Sequence, residues 1–166
     1  MIAFGYNCVS QVPSSRQLPH LEHITDMINS MRGHHGLAPL QHLSSRVRSS
    51  DAQAFADAHE RIPGAPLVLF VDRSPGDARA LRNSDEVFGA LFEFLNVARV
   101  RFEGMELRRQ MVVCEAADVF VSVRVPTHSD AADFVNHMML LLQVHGCDAS
   151  NIAFMRPGSV AVTVIS

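Results

Sequence analysis

The sequence contains no lysine, and all 14 of its basic residues are arginine. The absence of lysine excludes a P-loop lysine, a Schiff-base lysine and a Ser–Lys catalytic pair. Replacing lysine by arginine on a surface keeps the charge and costs little, so a codon bias towards arginine is one explanation. Selection against lysine modification is the alternative.

The sequence also has few cysteines, a small net charge and no long apolar run. The three cysteines, Cys8, Cys114 and Cys147, are odd in number and far apart, which argues against a disulfide framework and for reduced thiols in a cytoplasm-like compartment. The net charge of -3 gives no general attraction to nucleic acid or to an anionic membrane. No apolar run approaches the length of a membrane span, and the N-terminus lacks the basic start of a signal peptide.

The composition predicts one globular domain over residues 1–166. Hydrophobic residues make up 48% of the chain and charged residues 19%, which suits a packed core and argues against disorder. We expect a cytoplasmic protein with no membrane partner. The high hydrophobic content with few charges also predicts a homo-oligomer.

The strongest structural pattern runs from Asp118 to Gly146. Residues 119–125 alternate between valine and other residues, which predicts a strand ending at Pro126. A helix over 129–145 should follow, with acidic residues in its first turn. Residues 138–142 are five consecutive apolar residues, so this helix should be covered on more than one side and belong to the core.

The N-terminal third of the chain, residues 1–63, is predicted to be mostly helical. Apolar spacing predicts a helix over 19–33. A short helix should begin at Pro39, with Leu40, Leu43 and Val47 turned inward. A third helix should begin at the capping box of residues 50–53 and continue to Ile62.

The remainder of the chain, residues 66–166, is predicted to hold the sheet. Besides the central unit, the expected elements are strands at 67–71, 97–102, 110–115, 152–155 and 160–165, and a helix at 84–96. Residues 105–117 could also form a helix. Pro157-Gly158 should form a hairpin turn between the last two strands. The predicted fold is α+β, a helical N-terminal third packed on a mixed sheet of about five strands, with a hint of two repeated βαββ units at 67–116 and 118–165.

Catalytic and metal motifs are not evident in the sequence. Six of the nine histidines lie before residue 60, but they form neither an HExxH nor a CxxC-associated pattern, so no metal site and no cofactor are predicted. The apolar surroundings of Cys114 and Cys147 suit inert thiols, and there is no GxSxG motif. Catalytic residues therefore stay unknown, and a non-enzymatic role is favoured.

The most site-like stretch is the loop after the strand at 67–71, because open α/β folds bind ligands at the carboxyl ends of strands. Arginine side chains offer forked donors to phosphate or carboxylate, a glycine allows close approach, and the next helix begins with outward amides. The candidate ligand-binding residues are Asp72, Ser74, Gly76, Asp77, Arg79, Arg82 and Ser84. The alternative is a solvated loop whose arginines and aspartates pair with one another.

Two short segments resemble known families. Residues 69–81, Leu-Phe-Val-Asp-Arg-Ser-Pro-Gly-Asp-Ala-Arg-Ala-Leu, resemble the first strand and loop of two-component receiver domains. Arg73 stands where that family has a second acid, Ser122 lies near the expected phospho-acceptor, and the lysine is missing. Residues 24–58 resemble the first helices of secreted CAP-domain proteins, without that family's later His and Glu motifs. Neither resemblance assigns a family.

The function that these observations favour is a non-enzymatic interaction or assembly protein that self-associates, with a protein or a copy of itself as its partner. The reason is that the sequence shows strong apolar patterns of a packed core but no set of residues that would converge on a catalytic or cofactor site. The alternative is a small-molecule or anion-binding domain, or an enzyme, that uses the loop at 72–84.

Overall fold

The structure, a computed structural model, describes residues 5–6, 18–40, 43–44, 46–74, 80–81, 83–124 and 148–165. These residues form a mixed α/β fold with four α-helices and four parallel strands. The helices are α1 Leu18–His34, α2 Ser50–Asp57, α3 Ser84–Phe94 and α4 Leu107–Ala116. The strands are β1 Gly5–Tyr6, β2 Leu67–Val71, β3 Asn96–Val100, β4 Val119–Arg124 and β5 Val160–Ile165, and a 3₁₀ helix spans Asp148–Phe154.

The strands lie in the order β1-β5-β4-β2-β3. Strand β2 pairs in parallel with both β3 and β4, and β4 pairs in parallel with β5. The two-residue β1 is antiparallel to β5. Parallel strands need crossover connections. Helix α3 connects the neighbours β2 and β3, and α4 connects β3 to β4 on the other side of β2.

The two faces of the sheet are covered to different extents. On one face, which we call the α4 side, β2 contributes Leu67, Leu69 and Val71 to a large cluster with α1, α2, α4 and the 3₁₀ helix. On the other, the α3 side, Val68 and Phe70 join a smaller cluster with residues of α3. All five residues of β2 are buried, as expected for a central parallel strand covered on both faces.

Several sequence predictions are confirmed. Strand β2 has the predicted bounds, and β3, β4 and β5 lie where strands were predicted at 97–102, 119–125 and 160–165. The predicted helices at 19–33 and 84–96 correspond to α1 and α3. The predicted helix at 129–145, with its core segment 138–142, lies outside the described residues.

The predicted strand at 110–115 is wrong, because these residues belong to helix α4. Every residue from Met111 to Ala116 is buried, so this part of the helix shows no polar face and its sequence lacks the helical period. A short apolar run of this kind does not distinguish a buried strand from a buried helix. The order β2-α3-β3-α4-β4 also contradicts a βαββ unit at 67–116.

The predicted strand at 152–155 is also wrong, since these residues lie in or directly after the 3₁₀ helix Asp148–Phe154. Pro157 and Gly158 do form a turn, and Gly158 has a φ of 86° there. The turn joins the 3₁₀ helix to β5, which runs parallel to β4, so there is no hairpin. The second predicted βαββ unit is therefore wrong as well.

Three details within residues 1–63 also differ from the prediction. Helix α2 is capped by Ser49, whose side chain accepts a hydrogen bond from the Ala52 amide, one residue before the predicted capping box. The helix ends at Asp57 rather than Ile62, because the His59 and Glu60 amides bond to the Ala56 and Asp57 carbonyls three residues back, which interrupts the α-helical i→i−4 pattern. Val47, predicted to face inward, is 53% exposed.

Glu115, near the end of α4, has a buried carboxylate that contacts a distant part of the chain. Glu115 accepts from Arg32 of α1 at 2.6 Å, and both side chains are fully buried. Glu115→Ala would leave the Arg32 charge buried without its partner, so we expect a loss of about 3–5 kcal/mol in the free energy of unfolding measured in urea. Replacing both partners, as Arg32→Met with Glu115→Leu, should cost less than Glu115→Ala alone.

Arg108→Ala is the matched control, because Arg108 pairs with Asp51 and both side chains are about half exposed. This variant should lose no more than about 1 kcal/mol. An unfolding curve for Glu115→Ala that matches the wild type would contradict a structural role for the buried pair.

Candidate functional site

The carboxyl ends of β2 and β3 bring together a compact group of charged side chains. Asp72 directly follows β2, and its amide donates to the Val100 carbonyl at the end of β3. Arg99 and Arg101 are two residues apart at the end of β3, so they emerge on the same side of that strand. Helix α3 begins beside them at Ser84. We call Asp72, Arg99 and Arg101 the carboxyl-edge cluster.

Asp72 is the acceptor on which both arginines converge. Its Oδ2 lies 2.9 Å from Nε and 2.7 Å from Nη2 of Arg99, and 3.3 Å from Nη2 of Arg101. The Asp72 side chain is only 5% exposed, whereas the exposure rises to 28% for Arg99 and 47% for Arg101. The carboxylate therefore lies inside, and the two guanidinium groups extend from it towards the surface.

Arg99 also fastens the cluster to the start of α3. It donates to Oδ1 of Asp85 at 2.6 Å and to Oγ of Ser84 at 2.7 Å. Its guanidinium lies 5.4 Å from the centroid of the Phe88 ring, within cation–π range. The hydrogen bond to Asp85, followed by those to Asp72, raises the pKa of Arg99.

An open depression of about 390 Å³ lies against the end of β3, lined by Arg99, Val100 and Arg101. The depression is open and lies at the carboxyl end of the edge strand β3. Parallel α/β sheets bind ligands outside the carboxyl ends of their strands, most often at the point where the strand order reverses, which here lies between β2 and β4.

The sequence-predicted site is placed only partially by the structure. Asp72 and Ser84 are brought together through Arg99, while Ser74 donates to the carboxylate of Glu103 instead. The other candidates, Gly76, Asp77, Arg79 and Arg82, lie outside the described residues. Arg99 and Arg101 were missed, although the Arg-Val-Arg spacing after an apolar run could have indicated two arginines on one side of a strand end.

A second candidate surface lies on the outer side of α3. None of the residues of this helix is buried, and Phe92 and Phe94 are 41% and 69% exposed. Phe92 and Phe94 are two residues apart, so they lie on different sides of the last turn of α3, and the exposed Ala90 shares the face of Phe94. We call this exposed end of α3, with Phe92, Phe94 and Ala90, the aromatic patch. The Arg61 guanidinium lies 4.5 Å from the Phe92 ring centroid and also donates to the Phe92 carbonyl.

Neither candidate surface includes a recognisable metal or nucleophile site. Among the described residues, no three His, Cys, Asp or Glu side chains are placed to hold a metal ion. Cys114 is a free thiol inside α4, and burial raises its pKa, which keeps it protonated and unreactive. None of the helices described is long and apolar enough to cross a membrane.

No protein-family model matches the chain, and searches of curated proteins and of solved structures find no significant match to it.

The lowered pKa of Asp72 predicts that this carboxylate stabilises the folded protein in a pH-dependent way. Burial acts to raise this pKa, but hydrogen bonds from the Arg73 amide, Arg99 and Arg101 outweigh burial, so the pKa lies below its usual value. A depressed pKa in the folded state stabilises the protein at pH values above the unfolded pKa of about 3.9, and this stabilisation is lost as the pH falls through the folded pKa.

We therefore expect Asp72→Asn to lower the free energy of unfolding by about 1.5–3 kcal/mol near neutral pH, since it removes charge-assisted hydrogen bonds. The difference from the wild type should shrink as urea unfolding is repeated at pH values below about 3.9. A difference that stays constant across this range would show that the Asp72 charge does not stabilise the fold.

Proposed function

We propose that the protein is a non-enzymatic interaction and assembly protein that associates with a second copy of itself through the aromatic patch. The observation that carries the proposal is the 69% exposure of Phe94, with Phe92 41% exposed in the same last turn of α3. Aromatic residues are enriched in the buried centres of interfaces, where each contributes a large contact area. Two exposed phenylalanines at one helix end therefore favour a contact surface over a solvated helix end.

The charges around the aromatic patch favour a second copy as the partner. Arg61 lies over Phe92, and the exposed Glu93 follows it on α3. A two-fold interface brings the same surface of each copy together, so Arg61 of one copy is able to meet Glu93 of the other. A patch that carries both signs at its margin is in this way complementary to itself.

We also propose how the whole chain is organised and where in the cell it is located. We propose a single domain over residues 1–166, in which a helical N-terminal third, residues 1–63, packs on the sheet formed within residues 66–166 and β1 is the fifth strand of a mixed sheet. Ion pairs from Arg32 and Arg48 to the α4–β4 junction support this arrangement. The buried, reduced Cys114 is consistent with a cytoplasmic location, which we also propose.

A second candidate function is the binding of a small molecule or anion at the end of the sheet where the loop of residues 72–84 begins. The observation that favours it is the convergence of Arg99 and Arg101 on Asp72 next to an open depression. This function requires no catalytic residue, and we propose none.

Self-association is tested by light scattering after size-exclusion chromatography over a range of protein concentrations. We expect the wild type to have twice the mass of the chain at high concentration, and Phe94→Asp to have the monomer mass, because a charge would be buried in the interface. Phe94 is largely exposed in the single chain, so the variant should keep the wild-type circular dichroism spectrum and melting temperature.

Val47→Asp is the matched control, because Val47 is 53% exposed and lies outside the aromatic patch. It should keep the mass of the wild type. A wild-type monomer at high concentration would refute self-association, and a Phe94→Asp dimer would show that the copies meet through another surface.

A further inference from the structure

We propose that the depression against β3 binds a small oxyanion of the phosphate type, which Arg101 contacts directly while Asp72 and Arg99 position Arg101. The inference rests on the second candidate function and names its ligand class and its contacting residue. It also moves the anion site from the loop arginines predicted by sequence, Arg79 and Arg82, to the end of β3.

Arg99 is unsuited to be the main ligand contact because its donors are already engaged. Its Nε, Nη1 and Nη2 atoms donate to Asp72, Asp85 and Ser84 at distances of 2.6–2.9 Å. Stacking near Phe88 further restricts the guanidinium plane. A ligand would have to break these contacts to bind Arg99 with ideal geometry. We therefore assign Arg99 a positioning role.

Arg101, unlike Arg99, is well exposed and makes one long contact to Asp72. Its side chain is 47% exposed, and its ion pair within the described residues is the 3.3 Å approach of Nη2 to Asp72. A guanidinium carries five N–H donors in a planar fork, so a single long contact leaves donors available on the side that lines the depression. Such a fork suits the two oxygens of a phosphate or carboxylate.

The charges of the carboxyl-edge cluster also favour an anion. Two guanidinium groups share one buried carboxylate, which leaves one positive charge in excess among these three groups. Asp85 pairs with Arg99 at 2.6 Å and offsets the charge of that guanidinium, so the positive charge available to a ligand is that of Arg101. Glu103 works against anion binding, and its carboxylate accepts a hydrogen bond from Ser74.

The position and size of the depression further restrict the kind of ligand that it would bind. It lies outside the ends of parallel strands, and Arg99 of its lining contacts Ser84 and Asp85 in the first turn of α3. Its volume of about 390 Å³ admits a small ligand rather than a peptide. Among the described residues of its lining, Val100 is apolar and the other two are arginines, so these residues would recognise a ligand mainly through charge.

The test is a titration of the whole chain with inorganic phosphate, followed by thermal unfolding, at constant ionic strength maintained with chloride. The wild type should show a melting temperature that rises with phosphate concentration, since a ligand that binds only the folded state stabilises it. Arg101→Ala should weaken the apparent phosphate affinity by at least about tenfold, the loss expected when a charge-assisted hydrogen bond is removed.

Arg108→Ala is the control, because Arg108 is 49% exposed, similar to Arg101, but lies on α4 and pairs with Asp51. It should keep the wild-type response to phosphate. Nitrogen-detected or proton-detected NMR of the arginine side chains supplies a local measurement, in which the Nε–H signal of Arg101 should shift on titration more than that of Arg108.

No phosphate response in the wild type, or an equal response in Arg101→Ala, would overturn the proposal. Light scattering in the same phosphate series separates this result from self-association. A dimer mass without an Arg101-dependent phosphate response would support the assembly proposal alone, while an Arg101-dependent response from a monomer would support the anion site alone.

Discussion

Glu115 lies fully buried near the end of α4, where its two carboxylate oxygens accept hydrogen bonds from two separate segments of the chain. Nη2 of Arg32 donates to one oxygen at 2.6 Å and the Ser49 amide donates to the other at 2.6 Å. This one side chain therefore fixes α1 and the start of α2 against α4. A buried ion pair of this kind gives little net stability against an apolar pair, and Nη1 of Arg32 has no hydrogen-bond partner among the described residues. Removing one partner alone is strongly destabilising, because it leaves the other charge buried and unpaired. The role of the Arg32–Glu115 pair is therefore to define one arrangement of the helices.

Asp118, three residues later, makes the corresponding connection to the sheet. Its carboxylate accepts from the Leu67 amide at the start of β2, from Arg48 and from Arg156, at distances of 2.6–2.8 Å. Arg48 and Arg156 also donate to the Ala116 and Glu115 carbonyls, which are left unpaired at the end of α4. Each guanidinium thus satisfies a carboxylate and a helix carbonyl together. A lysine ammonium lacks this planar fork, so at these positions arginine has a structural use in a chain without lysine.

The sequence predicts strands β2, β4 and β5 well, because their valine-rich patterns are unambiguous at the length of a strand. It fails for α4 and for the 3₁₀ helix, where short apolar stretches are buried on several sides and lose their period. The site shows the same limit. Asp72 and Ser84 follow from the strand–loop–helix order, but Arg99 joins them only because the parallel register places Val71 opposite Val100. Register is a tertiary property, and no local pattern in residues 72–84 indicates which strand will lie next to β2. The buried Arg32–Glu115 pair joins residues 83 positions apart, so no local sequence pattern predicts it either.

We infer that the carboxylates of Glu115 and Asp118 join the helices to the sheet as one cooperative unit. Native-state hydrogen exchange at the Ser49 and Leu67 amides measures this cooperativity, because these amides donate to Glu115 and Asp118. We expect both amides to exchange only through global unfolding, with the same free energy and the same urea dependence as the core amide of Leu69. Exchange of Ser49 and Leu67 through local opening, at a lower free energy than Leu69, would contradict it.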